Sequence, residues 1–206
     1  MELHKVSVLE FIRDLGSSAP APGGGSVAAM NGATAAALIE MVANLTIGNA
    51  KYEAVHEEMK SIQEKMCQVK EDFVEYINKD SAAFMELMKA FRLPKETDEE
   101  KAHRKAEIQG RTKQAALVPY EIGKLAHSLL PFTETVIVKG NTNAITDGMI
   151  AVINVRAAVK SAFLNVKINL GSIQDVEFVK ELADSMEAIE SSLDAEEQRL
   201  LGLANV

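Results

Sequence analysis

Tryptophan is absent from this 206-residue sequence, cysteine occurs once and aromatic residues make up only 5%. Without aromatic platforms on which bases stack, single-stranded nucleic acid is a poor partner. A lone Cys67 cannot form an internal disulfide, which suits a reducing, cytoplasmic compartment. Basic residues are also short: 22 Lys and Arg against 30 Asp and Glu leave a formal charge of −8, the wrong sign for a binder of phosphate backbones. His4, His56, His103 and His127 lie far apart and show no zinc-ligand spacing with Cys67, so neither a metal nor a bound prosthetic group is expected. Alternating strand patterns long enough to build a sheet are missing too. The apolar run Val27–Leu45 contains Asn31, Gly32, Thr34 and Glu40 and no orienting basic flank, which argues for a buried helix and against a membrane span. The first apolar segment, Val6–Leu15, is interrupted by Glu10, Arg13 and Asp14 and does not read as a secretory signal.

What is present is helical. Ser7 and Glu10 form a capping box, and Gly16 marks the end of the short helix they open. A second helix is predicted from Ser26 to Thr46, ending near Gly48, and a long third from Glu53 to Phe91, stopped by Pro94. Thr97 and Glu100 open a fourth, which Pro119 is expected to kink or split. An apolar helix follows over Ala144–Asn165, then a locally extended segment over 165–173, then an acidic amphipathic helix over Asp175–Leu203. The expectation is one all-α domain over residues 1–206, a single-domain helical bundle with long antiparallel helices.

Two features break this pattern. The third helix carries apolar residues at Ile62, Met66, Val69, Phe73 and Ile77, then Phe84, Leu87 and Phe91. The position the seam needs between Ile77 and Phe84 is held by Asp80, and a carboxylate on a buried face is costly unless paired. It is a structural acid, a functional one with a raised pKa, or the mark of a register break that exposes it. In the apolar helix, Asp147, Asn154, Ser161 and Asn165 share one side, a buried polar seam or the lining of a site. The stretch Gly23-Gly24-Gly25-Ser26 follows a Pro-rich coil and lacks the Gly-Lys-Ser/Thr ending of a phosphate loop. These glycines either take positive φ and present free amides to a ligand's anionic or carbonyl group, or serve close packing. The basic run over 101–113, with Arg104 and Lys105, is either a solvated face or a holder for an anionic ligand tail.

The motifs "PAPGGGSVAA", "NKDSAAFMELMKAFRLP", "RTKQAALVP" and "KGNTNAITD…FLNVKINL" occur in the order seen in the cyclodeaminase/cyclohydrolase family, which the sequence resembles over about residues 4–200. The resemblance implies an all-helical, dimer-forming domain acting on one-carbon units carried by tetrahydrofolate. It places the proposed catalytic aspartate on Asp80, a functional lysine on Lys113, and the G-N-x-N…D motif on Gly140, Asn141, Asn143 and Asp147. Gly23, Gly24, Gly25 and Ser26 stand beside Asn141, Asn143, Arg104 and Lys105 as candidate substrate-binding residues. Asp80, Lys113 and Asp147 are the candidate catalytic ones. Three functions remain open: formiminotetrahydrofolate cyclodeaminase, methenyltetrahydrofolate cyclohydrolase, and a non-catalytic folate-binding dimer. A polyglutamylated tetrahydrofolate, a second copy of the chain and a separate formiminotransferase are the partners implied, with no nucleic acid and no membrane.

Overall fold

Small residues decide how closely these helices pack. A computed structural model describes residues 3–204. Its α-helices are α1 (Val8–Leu15), α2 (Gly24–Thr46), α3 (His56–Phe91), α4 (Asp98–His127), α5 (Leu130–Lys139), α6 (Ile145–Leu170) and α7 (Val176–Leu201), with no strand among the described residues. The two capping boxes form as read: Ser7 with Glu10 at α1, and Thr97 with Glu100 at α4. α2 lies against both α3 and α6, α4 packs on α6 and α3, and α7 covers α6 from outside. The alanines and glycines of α2 permit this. A Cβ on Gly32 would lie 2.4 Å from the ring of Phe73, so glycine lets that ring sit against the α2 backbone. Phe73, Phe163, Ile39, Met59 and Met66 form the centre of the core, each worth about 1.5–3 kcal/mol of burial. Glu40, the charge inside the apolar run of α2, is met by Lys70 of α3 at 2.6 Å.

Four expectations about local structure are corrected. α2 begins at Gly24 rather than Ser26. The third helix is preceded by a separate 3-10 segment, Ala50–Val55, because Tyr52 leaves helical geometry (φ −114°, ψ 20°) and its hydroxyl is tied to Thr142. Residues 165–170 are not extended. α6 runs on to Leu170, because Val166 and Leu170 fall one turn apart on its buried side and outweigh the strand preference of the β-branched residues. Pro119 does not split α4, which is helical from Asp98 to His127 with the proline buried inside. The cost of that proline is an orphaned carbonyl on Ala115, one turn back. Asn169 of α6 answers it, its amide Nδ2 donating to Ala115 O at 3.0 Å.

α2 and the stretch Thr142–Leu170 are long and apolar enough to cross a membrane by composition, yet about half of each is buried within the bundle. Their outward faces remain apolar: Met41 and Leu45 on α2, and Ile150, Ile153, Leu164 and Ile168 on α6, are exposed.

Candidate active site

The third-helix seam is buried from Ile62 to Ile77 and again at Leu87, while Phe84 and Phe91 turn outward. Asp80 sits where the seam loosens, half-buried beneath the first turn of α2. The approach is possible because Gly25 has no side chain: a Cβ there would lie 2.0 Å from Asp80 Oδ1. Gly24 plays the same part for α6, its Cβ position being 2.9 Å from Asn165 Nδ2, while Gly23 faces open space. None of the three takes positive φ; Gly48 alone does so among the described residues. Side-chain absence, and not left-handed backbone, explains Gly24 and Gly25. The anion at the α2 N-terminus is the protein's own Asp80 carboxylate, where free amides and the helix dipole favour it.

Three hydroxyl and carboxyl groups form a chain. Ser26 Oγ lies 3.0 Å from Asp80 Oδ2, 3.2 Å from the Ile77 carbonyl and 3.0 Å from Ser81 Oγ. Ser26 has one hydroxyl proton and two acceptors, so it donates to the carboxylate or to the carbonyl. Asp80 makes no ion pair with any described residue. Burial raises its pKa, opposed first by the hydrogen bond from the Ser26 hydroxyl and then by the Ser26 backbone. The carboxyl is thus held ready to take or give a proton nearer neutrality than an ordinary aspartate.

Asp80, Ser81 and Phe84 share a small cleft of about 140 Å³ with Gly23–Gly25 and with Asn165 and Asn169 of α6. Both asparagines spend their amide N–H groups on backbone carbonyls, Asn165 on Ser161 at 2.8 Å and Asn169 on Asn165 and Ala115. Their Oδ1 atoms accept no hydrogen bond from a described residue and are available to a ligand's N–H groups. Asn169 was not among the residues singled out from sequence. Its signal was Pro119, whose missing N–H requires a substitute donor somewhere in the fold.

The other expected residues lie elsewhere in the protomer. Lys113 pairs with Asp175 at 2.7 Å and stacks over the Phe178 ring, which ties α4 to the start of α7 and leaves no pairing with Asp80. Arg104 donates to the Phe91 carbonyl at 3.0 Å and so caps the end of α3, while Lys105 is exposed. Asp147 sits in the first turn of α6, 18 residues before Asn165, or about 27 Å along the helix, and Asn141 and Asn143 lie in the loop just before it. That loop is built with care. Asn141 donates its backbone N–H to Thr46 Oγ1 and its Nδ2 to Leu45 O, and its Oδ1 accepts the Asn143 N–H. Next to it the Tyr52 phenol is pulled down to about 8, by the Thr142 hydroxyl first and its backbone second. No group of three or more His, Cys, Asp or Glu residues that could hold a metal ion occurs among the described residues.

Residues 7–188 match the family described as Formiminotransferase-cyclodeaminase. The chain is 40% identical over 190 residues to a methenyltetrahydrofolate cyclohydrolase of Methylorubrum extorquens, covering 92% of this chain and 91% of that one. It is 34% identical over 176 residues to the formimidoyltransferase-cyclodeaminase of Sus scrofa, covering 85% of this chain but 32% of that longer protein. A formiminotetrahydrofolate cyclodeaminase of Thermotoga maritima has the same fold, with a TM-score of 0.87, 32% identity, and 98% of this chain and 96% of that one covered. The chain belongs to the formiminotransferase-cyclodeaminase family of folate one-carbon enzymes.

Proposed function

We propose that this protein is a formiminotetrahydrofolate cyclodeaminase in which Asp80 carries the proton. The observation behind this is a carboxyl group that is half-buried, bonded to the Ser26 hydroxyl and without a cationic partner among the described residues. Such a group is missing a counter-ion, and the one-carbon bridge of a reacting tetrahydrofolate is a cation. In the protonated formimino substrate, N10 attacks the formimino carbon to give a tetrahedral intermediate. The carboxylate of Asp80 removes the N10 proton and passes it to the former imino nitrogen, now an amine. Ammonia leaves, and the delocalised 5,10-methenyl cation remains opposite the regenerated carboxylate. The carboxylate faces this positive charge as it passes from the formimino group to the ring being formed, and its proton transfers lower the barrier where binding alone would not. Ser26, with Ser81 behind it, steadies whichever protonation state Asp80 holds, by turning its hydroxyl between carboxylate and Ile77 carbonyl.

A second reading, methenyltetrahydrofolate cyclohydrolase, is favoured by the 40% match along nearly all of a protein of similar length. The same carboxylate would take a proton from the attacking water and deliver it to N5 as the bridge opens, while the second proton leaves to solvent as the hydroxyl becomes the formyl carbonyl. Offering the purified protein 5-formimino- and 5,10-methenyltetrahydrofolate in separate reactions tests both, by appearance or decay of the methenyl absorbance. Catalysed appearance from the formimino substrate supports the first reading, and catalysed decay of the methenyl substrate alone supports the second. Activity on neither overturns both.

The site is read as completed by a second copy. The outward apolar faces of α2 and α6 are broad enough to need a cover, and a copy related by a twofold axis supplies the same surface. Asp147 and Asn165 lie on one side of α6, so antiparallel apposition of two α6 helices carries Asp147, Asn141 and Asn143 of one copy toward the Asp80 cleft of the other. No step is assigned to Lys113.

A further inference from the structure

The Asp80 cleft of about 140 Å³ is smaller than the 300–1,000 Å³ of a typical small-molecule site. A second cleft of about 570 Å³ adjoins it, and Pro20, Ala21 and Ser81 line both. We infer that this second cleft seats the aminobenzoyl ring of the folate, with the pterin lying toward Asn165 and Asn169. The inference rests on the folate reading above and adds an orientation to it.

The two ends of a tetrahydrofolate differ in chemistry, and so do the two clefts. The pterin edge is crowded with N–H donors and a carbonyl, and burying it without partners is costly. The aminobenzoyl ring has an apolar face and edge. The larger cleft is walled by Leu3, Pro20, Ala82 and Met85. Its one amide is already spent: Asn78 Oδ1 accepts the Leu3 N–H at 2.7 Å, and Nδ2 is bonded to the His4 ring. Apart from Ser81 at the junction, whose hydroxyl is bonded to Ser26, no side chain there answers a pterin edge, whereas a thioether, a proline and an alanine suit an aromatic face. The Asp80 cleft has the converse lining, two asparagine Oδ1 atoms that accept nothing from the described residues. N5, the bridging carbon and N10 fall between pterin and benzoyl ring in the molecule. Ser81, the residue next to Asp80, lines both clefts, so the Asp80 carboxyl stands on the smaller cleft's side of that junction.

The test uses the full chain labelled with ¹³C at the methionine methyls, with the Met85 signal assigned through Met85→Leu. p-Aminobenzoylglutamate should shift that signal, and a tetrahydropterin lacking the benzoyl arm should leave it in place. Ala82 is exposed, so Ala82→Trp fills the cleft without entering the core, and circular dichroism checks that the helices persist. In that variant KM for the folate substrate should rise by about tenfold or more while kcat changes by less than about threefold, the signature of lost ground-state binding. A Met85 shift with the pterin and none with p-aminobenzoylglutamate overturns the orientation. Unchanged KM in Ala82→Trp, with the wild type turning over folate normally, overturns the subsite while sparing the function. Absence of both folate turnover and folate binding in the wild type overturns the function and this inference with it.

Discussion

Gly25 and Asp80 share one space: a Cβ on Gly25 would stand 2.0 Å from Oδ1 of Asp80, closer than any real contact allows. The carboxylate therefore lies against bare backbone at the α2 N-terminus, where partial positive charge offsets part of its burial.

Gly25→Ala should consequently displace Asp80 while leaving α2 helical, since Gly25 has ordinary helical φ and alanine favours the helix. A loss of about 10²-fold or more in kcat is expected, within the range of acid/base catalysis. Gly23→Ala, whose Cβ meets no protein atom within 4 Å, should leave Asp80 in place and lose less kcat than Gly25→Ala. Steady-state assays of the two variants side by side check this. Equal losses in both would mean that the Gly25–Asp80 approach has no part in activity.

Asp80→Asn should abolish turnover and at the same time stabilise the protein at neutral pH. The sign follows from the raised pKa of Asp80. Between the ordinary carboxylate value and the raised one, the folded state binds more protons than the unfolded, so stability falls as pH rises through that window. Above it the wild type bears the full burden of a buried charge that asparagine lacks. Thermal melts across pH should show the variant gaining over wild type at pH 7–8. The gain should vanish at a pH below the ordinary value of 3.8. A variant less stable than wild type at neutral pH would place Asp80 in a stabilising pair instead.

Pro119→Ala tests how the fold holds Asn169. Alanine restores the N–H that bonds the Ala115 carbonyl, adding up to about 3 kcal/mol of helix stability and releasing the Asn169 amide. The expected outcome is a higher melting temperature together with weaker folate binding, seen as a raised KM. Asn169→Ala should raise KM similarly without the gain in stability. If Pro119→Ala raises the melting temperature and leaves KM unchanged, Asn169 has no part in the site.

These residues also show what the sequence made legible. Helices and caps could be read because apolar spacing and capping residues are local, and Asp80 stood out because it interrupts a seam at a defined phase. The role of the glycines was not readable to the same degree. Positive φ and absence of a side chain use the same residue, and only the position of Asp80, more than fifty residues away in sequence, distinguishes them. Residues 165–170 carry Val and Ile at strand-favouring spacing, yet burial of Val166 and Leu170 keeps them helical and thereby delivers Asn169 to the cleft. Lys113 looked available until the fold placed Asp175 beside it.

Asp80 and Asp147 lie near opposite ends of one protomer's α6, and this separation gives the sharpest test of a shared site. If each site takes Asp80 from one copy and Asp147 from the other, Asp80→Asn and Asp147→Asn homodimers are both impaired. A heterodimer of the two contains one site with both substitutions and one with neither. Mixing the variants under conditions that exchange subunits should then restore about a quarter of wild-type activity, because half the dimers are mixed and each has one intact site. Recovery should track the fraction of heterodimer measured by native mass spectrometry and disappear when subunits are cross-linked before mixing. No recovery despite measured exchange would confine the site to a single protomer. Full activity of Asp147→Asn alone would remove that residue from the chemistry altogether.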